Sequence, residues 1–518
     1  MSELLFIYGP PGSGKSSLGQ LLAKRLGLSF YDLDGEIEAR SGRSIPRIFS
    51  DEGESSFRQR ERAELDRLIT AEENSIIALG GGALTDASTH QLVENCGPVL
   101  LLTASPEILH RRLQTDPAHP RPLLAGDTAQ QLESLLARRA GHYASFPLRL
   151  DSSVLGLDQA AWKAQVLLGM FYIHGMGRPY DVRVVPGGVD KIGEMMASRS
   201  LRGPVVLVSD ETVGALYAAR VANSLESAGY PSRTVLIPPG ESQKTHPTIV
   251  RLWESFLAAG VERGSTVIAL GGGVVGDLTG FAAATWMRGV AWVYLPTTLL
   301  AMADASLGGK TGIDLPQGKN LVGAFHPPRL VLADPDTLTT LPAAELRSGL
   351  AEVVKHGIIG DPLLFELLTA KSHLPMADIV RRSMAVKVGI IQADPFEKGL
   401  RAALNLGHTV GHAVELLSGY RLRHGEAVAV GLVAEARLAE RIGLAEHGLA
   451  DTIAVTLKKL SLPTELPASF ECQAILAALY RDKKRQNGKI LFSLPVRVGE
   501  VKTGIVIEDL EEALCKQY

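Results

Sequence analysis

The chain has 518 residues, of which 46% are hydrophobic and 21% charged, and its formal net charge is −3. This length is too great for one compact core, so we expect two or three domains. The balanced charge argues against a nucleic-acid-binding protein, and no apolar run approaches the roughly 20 residues that span a bilayer.

The N-terminal segment and the cysteine spacing indicate the cellular compartment of the protein. An apolar strand-like segment begins at residue 4 and leaves no room for a signal peptide, so we expect a cytoplasmic protein. Cys96, Cys472 and Cys515 lie far apart without a CxxC pair. We therefore expect neither a disulfide framework nor a thiolate zinc site.

The first part of the chain alternates short apolar segments with charged, helix-periodic ones. Segments 4–8, 75–79 and 98–102 predict buried parallel strands. This alternation predicts an α/β domain with helices on both faces of the sheet. The regularity fails around residues 150–180, where Gly175-Met-Gly-Arg-Pro179 is typical of a linker.

A second strand–helix series follows that linker. Its predicted strands are 204–209, 233–237, 266–270 and 291–295. Beyond about residue 340 the strand patterns nearly vanish, and helical patterns continue to about residue 460. We expect a nucleotide-binding α/β part followed by a helical part.

A glycine-rich motif, GPPGSGKS at residues 9–16, fits GxxxxGK[ST] between the first strand and a helical segment. That context is the one a phosphate-binding loop requires, and a nucleotide-free turn is the weaker alternative. Lys15 would reach the β- and γ-phosphates, and Ser16 would hold Mg²⁺. The predicted ATP contacts are Gly12, Ser13, Gly14, Lys15, Ser16 and Ser17.

Further motifs make residues 1–165 resemble shikimate kinase. They are FYDLD at 30–34, GRSIPRIF at 42–49, GESSFR at 53–58, the triple glycine at 80–82, RPLL at 121–124, and Arg138-Arg139 with Tyr143. One departure is Gly141-His142 before Tyr143, where the family usually has Pro-Leu. The resemblance implies a P-loop kinase fold of the nucleoside-monophosphate-kinase type.

The resemblance also implies roles for individual residues. Shikimate would be held by Asp34, Arg58, Gly80, Gly81, Gly82 and Arg139. Arg121 would lie on a lid over ATP, and Asp32 would lie near Mg²⁺; Lys15, Asp34 and Arg121 would be catalytic. Paired guanidinium groups suit the substrate carboxylate, and a carboxylate suits the reacting hydroxyl, although a lone arginine is more often a surface ion pair.

The second part of the chain carries weaker local signals. A glycine-rich segment follows a predicted strand at Gly271-Gly-Gly-Val-Val-Gly-Asp277. It does not fit GxGxxG, so it is only weak evidence for a dinucleotide-binding site. His408 and His412 would share one helix face, with His424 and Glu352 elsewhere in the helical part. Two imidazoles and a carboxylate suit a catalytic zinc, whereas any single histidine is more often a polar core residue.

Taken together, these motifs make residues 179–515 resemble 3-dehydroquinate synthase. The resemblance implies zinc, or Co²⁺, on Glu352, His408 and His424, with His412 a substrate contact and not a ligand. It implies NAD contacts at Asp210, Glu241, Lys244, Gly272, Gly273, Val274, Asp277, Thr297, Thr298, Asp304, Lys310, Lys319, Thr337 and Thr340. It implies substrate contacts at Arg288, Lys310, Asn320, Lys355, Lys387, Arg401, Asn405, His412, and Lys483 or Lys484.

Among these, Lys310, Lys355 and His412 would be catalytic. The resemblance also implies that Arg288 reaches the site of a neighbouring subunit, and hence a homodimer. Several fixed cations suit 3-deoxy-D-arabino-heptulosonate 7-phosphate, which carries both a carboxylate and a phosphate.

The expected domains are a kinase at 1–165, a linker at 166–178 and a synthase at 179–518, divided into an NAD-binding α/β part (179–335) and an all-helical metal and substrate part (336–518). The expected function is ATP-dependent 3-phosphorylation of shikimate together with 3-dehydroquinate formation through recycled NAD. For the second part the rival is a glycerol dehydrogenase-like enzyme. For the first part the rivals are a gluconate kinase-like or adenylate kinase-like enzyme, or a non-catalytic nucleotide-binding scaffold.

Overall fold

The computed structural model describes residues 3–71, 73–115, 128–370, 373–466, 470–481, 485–486 and 489–515. The chain forms two compact units, one of Met1–Tyr172 with Ala197–Arg199, the other of Ile173–Met196 with Ser200–Tyr518. Among the described residues, no helix has the length and apolar character needed to cross a membrane.

The first unit is a parallel sheet with helices on both faces. Its elements are β1 (Leu4–Tyr8), α1 (Lys15–Leu26), β2 (Ser29–Asp32), α2 (Leu33–Ser41), α3 (Ile45–Thr70), β3 (Ser75–Ala78), α4 (Ala87–Cys96), β4 (Val99–Thr103), α5 (Pro106–Gln114), α6 (Thr128–Ala144), β5 (Arg149–Asp151) and α7 (Leu157–Leu168). The strands pair in the order β2-β3-β1-β4-β5. This confirms the predicted α/β fold.

Alternation along β1 explains the two cores of this unit. Leu4, Phe6 and Tyr8 belong to one buried cluster, and Leu5 and Ile7 to another. Successive strand side chains point to opposite faces, so a strand covered on both sides must be apolar throughout. Strands β2 and β5 carry polar residues at the sheet edges, which is why the apolar pattern did not reveal them.

The second unit begins with a larger parallel sheet. Its α/β elements are β6 (Met170–Ile173, at the boundary of the units), β7 (Tyr180–Val184), α8 (Ile192–Ala197), β8 (Arg202–Asp210), α9 (Glu211–Ser227), β9 (Ser232–Ile237), α10 (His246–Ala258), β10 (Ser265–Gly271), α11 (Gly273–Thr285), β11 (Ala291–Pro296), β12 (Lys310–Leu315), β13 (Gly318–Phe325) and β14 (Leu330–Ala333). Within the unit the parallel strand order is β7-β14-β11-β10-β8-β9. Strands β12 and β13 form a separate antiparallel hairpin.

Helices dominate the rest of the second unit. They are α12 (Ala343–Gly360), α13 (Pro362–Ala370), α14 (Met376–Ala393), α15 (His408–Leu417), α16 (His424–Arg441), α17 (Leu449–Lys459), α18 (Cys472–Arg481) and α19 (Leu510–Cys515). Two short antiparallel strand pairs lie among them: β15 (Arg485–Gln486) with β16 (Lys489–Ile490), and β17 (Phe492–Arg497) with β18 (Glu500–Ile505). The predicted helical part is confirmed, but it is not helical throughout.

Two details differ from the sequence-based expectations. Much of the range 166–178, predicted as a linker, has regular structure, because α7 ends at Leu168 and β6 buries Phe171 and Ile173 completely. Cys472 is disulfide-bonded, against the expectation from the wide cysteine spacing. The spacing of cysteines along the sequence does not by itself predict such a bond.

Candidate active sites

The phosphate-binding motif of the first unit forms a loop between β1 and α1. Gly12 and Gly14 have φ angles of 78° and 93°, a region that side chains disfavour. The Lys15 Nζ donates to the carbonyl oxygens of Gly9 at 3.0 Å and Pro10 at 3.2 Å, so the ammonium lies over the loop. The loop and the N-terminus of α1 together form a site for anionic phosphate groups.

A pair of oxygen ligands lies beside this loop. The Ser16 Oγ donates to Asp32 Oδ2 at 2.5 Å, and Asp32 also caps the N-terminus of α2. Hydroxyl and carboxylate oxygens are hard ligands of the kind that Mg²⁺ prefers. The two side chains predicted to lie near Mg²⁺ therefore lie together.

The triple glycine after β3 is surrounded by the predicted shikimate-binding side chains. A Cβ at Gly82 would lie 2.5 Å from Arg58 Nη2 and 3.0 Å from Arg139 Nη2, and a Cβ at Gly80 would lie 3.1 Å from Asp34 Oδ1. A Cβ at Gly81 would lie 3.2 Å from the Gly9 carbonyl oxygen of the phosphate loop. Glycine is thus needed for the close approach of two guanidinium groups and a carboxylate.

Glu61 is a member of this site that the motifs did not reveal. Its Oε2 pairs with Arg58 Nη1 at 2.6 Å, while its Oε1 is buried without a hydrogen-bond partner among the described residues. Burial raises the pKa of Glu61, and Arg58 opposes that shift. The i, i+3 spacing from Arg58 along α3 is the signal that sequence reasoning could have used.

The carbonyl oxygen of Gly81 accepts hydrogen bonds from several side chains. Tyr8 donates at 3.2 Å and Tyr143 at 3.3 Å, and Arg139 Nη1 donates as well. The Tyr8 hydroxyl also lies 3.2 Å from His142 Nε2, at the position where the sequence departs from the family. These contacts hold the glycine backbone in place. Arg121 lies outside the described residues.

The predicted metal ligands of the second unit lie close together. His408 Nε2 and His424 Nε2 are each 3.3 Å from Glu352 Oε1, and the three donor atoms lie within 4.8 Å of one another. They come from three elements, α12 and the first residues of α15 and α16. Two imidazoles and a carboxylate with room for another ligand suit a catalytic zinc or cobalt ion.

Glycines allow the three helices to approach so closely. A Cβ at Gly425 would lie 2.0 Å from the Ser348 carbonyl oxygen of α12, and a Cβ at Gly431 would lie 1.9 Å from the Gly407 carbonyl oxygen before α15. Any larger side chain at either position would force the helices apart. The geometry of the candidate metal site therefore depends on these contacts as well as on the predicted ligands.

His412, one turn after His408, lies beside this group. Its ring centroid is 5.4 Å from that of His408 and 6.2 Å from that of His424. The donor atoms that converge within 4.8 Å come from Glu352, His408 and His424, and do not include His412. Helical spacing alone would have favoured the His408–His412 pair.

Buried ion pairs surround the candidate metal site. Lys355 pairs with Glu352, and Lys387 Nζ lies 2.7 Å from Asp304 Oδ1. Burial opposes ionisation of Asp304 and Glu352, but the neighbouring lysines outweigh it and hold the pKa of each carboxyl below its usual value. Both carboxylates are therefore charged and matched by nearby cations.

A second group of possible ligands consists of Asp304, Glu352 and His356. His356 is fully buried, and its Nδ1 lies 2.7 Å from Ser383 Oγ. Burial, followed by Lys355, lowers the pKa of His356 to about 3, so the ring is neutral. Two lysine-paired carboxylates, Asp304 and Glu352, belong to this second group, whereas the first group contains only Glu352, so the first group is the better candidate metal site.

The cations predicted to bind the substrate lie around the same part of the fold. Lys310 pairs with Glu397, and the buried Arg401 donates to the Pro395 carbonyl oxygen at 2.6 Å. A Cβ at Gly308 would lie 2.4 Å from Arg401 Nη2. Asn405 lies at the end of the short 3₁₀ helix that precedes α15. Lys483 and Lys484 lie outside the described residues.

The predicted dinucleotide site lies at the carboxyl ends of β10 and β11. Gly272 precedes α11, and a Cβ there would lie 3.2 Å from Thr298 Cγ2. The Oγ1 of Thr297 is buried and has no hydrogen-bond partner within the described part of the chain. Lys244 pairs with Asp277 at 2.6 Å. A glycine turn at a helix N-terminus with a free hydroxyl fits a bound dinucleotide.

Other predicted NAD contacts have additional structural roles. Asp210 accepts from the backbone N–H groups of Thr212 and Val213 and caps α9. The hydroxyls of Thr340 and Tyr217 lie 2.6 Å apart, and Tyr217 also donates to the Thr337 carbonyl oxygen. These residues shape the loops that follow the strands. Gly273 and Val274 on α11, Glu241 before α10 and Lys319 on β13 complete the predicted set. Asn320, next to Lys319 on β13, is a predicted substrate contact.

Comparison with known proteins gives three consecutive family matches. Residues 11–155 match shikimate kinase, residues 234–348 match the 3-dehydroquinate synthase N-terminal family, and residues 349–485 match the 3-dehydroquinate synthase C-terminal family. The 3-dehydroquinate synthase of Nostoc punctiforme is 46% identical over 332 residues, which are 62% of this chain and 92% of that protein. The Synechocystis enzyme is 46% identical over 341 residues, 64% of this chain and 94% of that protein.

Two solved structures resemble the second unit. The 2-epi-5-epi-valiolone synthase of Streptomyces hygroscopicus, with NAD⁺ and Zn²⁺ bound, is 31% identical with a TM-score of 0.60, covering 65% of this chain and 96% of that one. A 2-deoxy-scyllo-inosose synthase complexed with carbaglucose-6-phosphate, NAD⁺ and Co²⁺ is 26% identical with a TM-score of 0.61, covering 67% and 99%. The chain therefore belongs to the 3-dehydroquinate synthase family and, with its shikimate kinase domain, is a bifunctional enzyme of the shikimate pathway.

Proposed function

We propose that the kinase reaction takes place between the phosphate loop and the triple glycine of the first unit. The observation that supports this most directly is the short distance between them, since a Cβ at Gly81 would lie 3.2 Å from Gly9 of the loop. ATP and shikimate bound at these two places would lie side by side. Phosphoryl transfer requires such positioning more than any covalent step by the protein.

Each residue of this site has a role that follows from its charge. Arg58 and Arg139 bind the shikimate carboxylate, and Asp34 orients the 3-hydroxyl and accepts its proton. Lys15 neutralises charge on the transferred phosphoryl group, and Ser16 with Asp32 would hold Mg²⁺ beside the phosphates. Arg121, outside the described residues, is assigned to the lid over ATP by resemblance.

A direct test is phosphoryl transfer from ATP to shikimate by the full-length chain. We expect transfer to shikimate but not to gluconate or a nucleoside monophosphate. ATP hydrolysis or binding without transfer to shikimate would instead support a nucleotide-binding scaffold.

For the second unit we propose conversion of 3-deoxy-D-arabino-heptulosonate 7-phosphate to 3-dehydroquinate and phosphate. The convergence of Glu352, His408 and His424 beside the paired Lys355 and Lys387 supports this proposal. A metal site next to several cations fits a substrate that carries a hydroxyl to be activated and two anionic groups.

The cofactors follow from the donor set and the glycine turn. Zinc or cobalt held by Glu352, His408 and His424 would supply Lewis-acid polarisation of the substrate C5 hydroxyl. NAD held between Gly272 and the Thr297 loop would accept a hydride and return it, so there is no net oxidation.

The protein's own residues bind and orient the substrate. Lys310, Lys387, Arg401 and Asn405 would hold its carboxylate and phosphate, and His412 and Lys355 would contact it next to the metal ligands. Lys355 and Lys387 lie 1% and 5% exposed, so their charges act in a site from which most water is excluded.

The test is to follow phosphate and NADH together during turnover of the heptulosonate phosphate. We expect one phosphate released per substrate consumed, no accumulation of NADH, and loss of the reaction when the metal is removed with a chelator. Accumulation of NADH without phosphate release would support an alcohol dehydrogenase of the glycerol dehydrogenase type.

We also propose a homodimer in which Arg288 serves a neighbouring subunit. Arg288 is exposed, and its φ of 67° lies in a region that side chains disfavour, which holds it in an unusual orientation at the end of a short 3₁₀ helix. Sedimentation should give a dimer, and a monomer would contradict this assignment.

We also propose that the enzyme acts in the cytoplasm, where ATP for the kinase reaction and NAD for the synthase reaction are both available. The proposed functional domains are residues 1–165 for the kinase and 179–518 for the synthase.

A further inference from the structure

Glu415 is a carboxylate that neither the sequence motifs nor the roles above include. It lies on α15 seven residues after His408, so it shares a helix face with His408 and His412. Its side chain is 12% exposed. Its two oxygens contact different elements of the second unit, one on α16 and one on the β12–β13 hairpin.

The first contact is with a candidate metal ligand. Glu415 Oε2 lies 3.3 Å from His424 Nδ1, while the other ring nitrogen of His424 faces Glu352 at 3.3 Å. A carboxylate at Nδ1 accepts the proton of that nitrogen, so the lone pair remains on Nε2, the atom that faces the metal site. It also fixes the rotation of the ring, since both nitrogens then have directed partners.

The second contact reaches the hairpin. Glu415 Oε1 lies 3.1 Å from Lys319 Nζ, and that ammonium also lies 4.5 Å from the centre of the Tyr420 ring, just after α15. Lys319 is one of the predicted NAD contacts. One carboxylate thus joins a metal ligand to a residue of the dinucleotide site.

We propose that Glu415 is a positioning residue of the synthase: it orients His424 for metal binding and joins Lys319 of the dinucleotide site to that ligand. The inference rests on the metal site proposed above. Two consequences follow from the two contacts. Removing the carboxylate should weaken metal binding, because His424 is no longer oriented. It should also weaken NAD binding, because Lys319 loses its partner.

The experiment uses the full-length chain with Glu415→Ala, Glu415→Gln and the control Glu446→Gln, an exposed glutamate of the same unit. The Zn²⁺ affinity is measured by competition with a chromophoric chelator, without substrate. We expect Glu415→Ala to weaken Zn²⁺ binding about 10- to 100-fold, the range usual for partners of metal-bound histidines. The Zn²⁺ affinity of Glu415→Gln should fall less, because the glutamine amide oxygen still accepts a hydrogen bond from His424 Nδ1.

Two further measurements separate positioning from general structural damage. The d–d absorption spectrum of the Co²⁺ form should change in Glu415→Ala, since the orientation of one ligand changes. The KM for NAD should rise in both Glu415 variants, because one amide oxygen cannot replace two carboxylate oxygens. Circular dichroism and the kinase rate of the same preparations should match the wild type and Glu446→Gln.

The outcomes distinguish this inference from the proposed function. If wild-type protein binds Zn²⁺ and Glu415→Ala binds it equally well with an unchanged Co²⁺ spectrum, the positioning role is wrong and the metal site stands. If the wild type binds no Zn²⁺, both the proposed metal site and this inference are wrong. If Glu415→Ala does not fold, Glu415→Gln decides, and full wild-type affinity for both Zn²⁺ and NAD in that variant contradicts the proposal.

Discussion

The charged side chains of the two candidate active sites differ in how far they are exposed to water. In the kinase unit the Arg58 side chain is 29% exposed and pairs with one buried acid, Glu61. In the synthase unit Glu352 and Lys355 are 0% and 1% exposed, and their charges are matched inside the protein. Phosphoryl transfer depends mainly on positioning of two bound substrates, whereas the synthase must stabilise charge on a substrate held away from water. The expected effects of substitution differ accordingly.

The largest effect should come from removing a metal ligand. Glu352→Gln should lower the rate of phosphate release at least about 1000-fold, because a polarising metal contributes several kcal/mol and each 1.4 kcal/mol is tenfold. The kinase rate of the same chain should not change. Glu345→Gln, on the same helix but exposed and paired with Arg423, is the matched control and should retain full activity. Retention of more than a tenth of the synthase rate by Glu352→Gln would contradict the ligand assignment.

A smaller effect is expected in the more open kinase site. Arg58→Ala should lower kcat/KM for shikimate about 100-fold, since a hydrogen bond to a charged group contributes about 1.5–3 kcal/mol. The KM for ATP and the synthase rate should stay constant. Arg60→Ala, two residues further along α3 and paired with Glu52, should have little effect. An equal loss in both arginine variants would mean that the effect is on α3 as a whole and not on shikimate.

One buried group in each unit should contribute to stability with opposite pH dependence. The pKa of His356 is lowered to about 3, so the unfolded chain binds a proton that the folded synthase unit does not, and stability is lost as pH falls below about 6.5. By pH 5 that loss amounts to about 2 kcal/mol. The pKa of Glu61 is raised, so its contribution in the kinase unit is greatest below the ordinary glutamate value and is lost as pH rises.

Thermal inactivation of each activity as a function of pH measures these responses separately. His356→Asn should flatten the dependence of synthase inactivation between pH 5 and 6.5 without changing that of the kinase. Glu61→Gln should reduce the loss of kinase stability as pH rises. Unchanged profiles in both variants would show that other groups govern the pH response.

The smallest effect concerns the backbone of the shikimate site. Tyr8→Phe removes one of the donors to the Gly81 carbonyl oxygen but leaves Tyr143 and Arg139. A neutral hydrogen bond contributes about 1 kcal/mol, so we expect the KM for shikimate to rise about fivefold with kcat nearly constant. The control is Tyr31→Phe on β2, which removes a hydroxyl that donates to Glu73. No change in Tyr8→Phe would mean that the other two donors hold Gly81 by themselves.

The sequence predicted the features that arise within one short segment. The apolar strands and the phosphate loop follow from local alternation and from glycines at fixed spacing, and the structure places both where the pattern predicted. The edge strands β2 and β5 were missed because their exposed sides carry polar residues. The roles of individual site residues remain predictions, since they came from resemblance to known families.

By itself the sequence determined the two α/β units, the helical part that follows and the families to which they belong. Only the tertiary structure showed that Glu61, His356 and Glu415 lie beside the candidate sites. Helical and strand periodicity encode neighbours within a turn or a strand, but they do not encode contacts between elements such as that of Glu352 with His424, 72 residues apart. Those contacts depend on how closely the helices pack, which here is set by the absence of a side chain at Gly425 and Gly431.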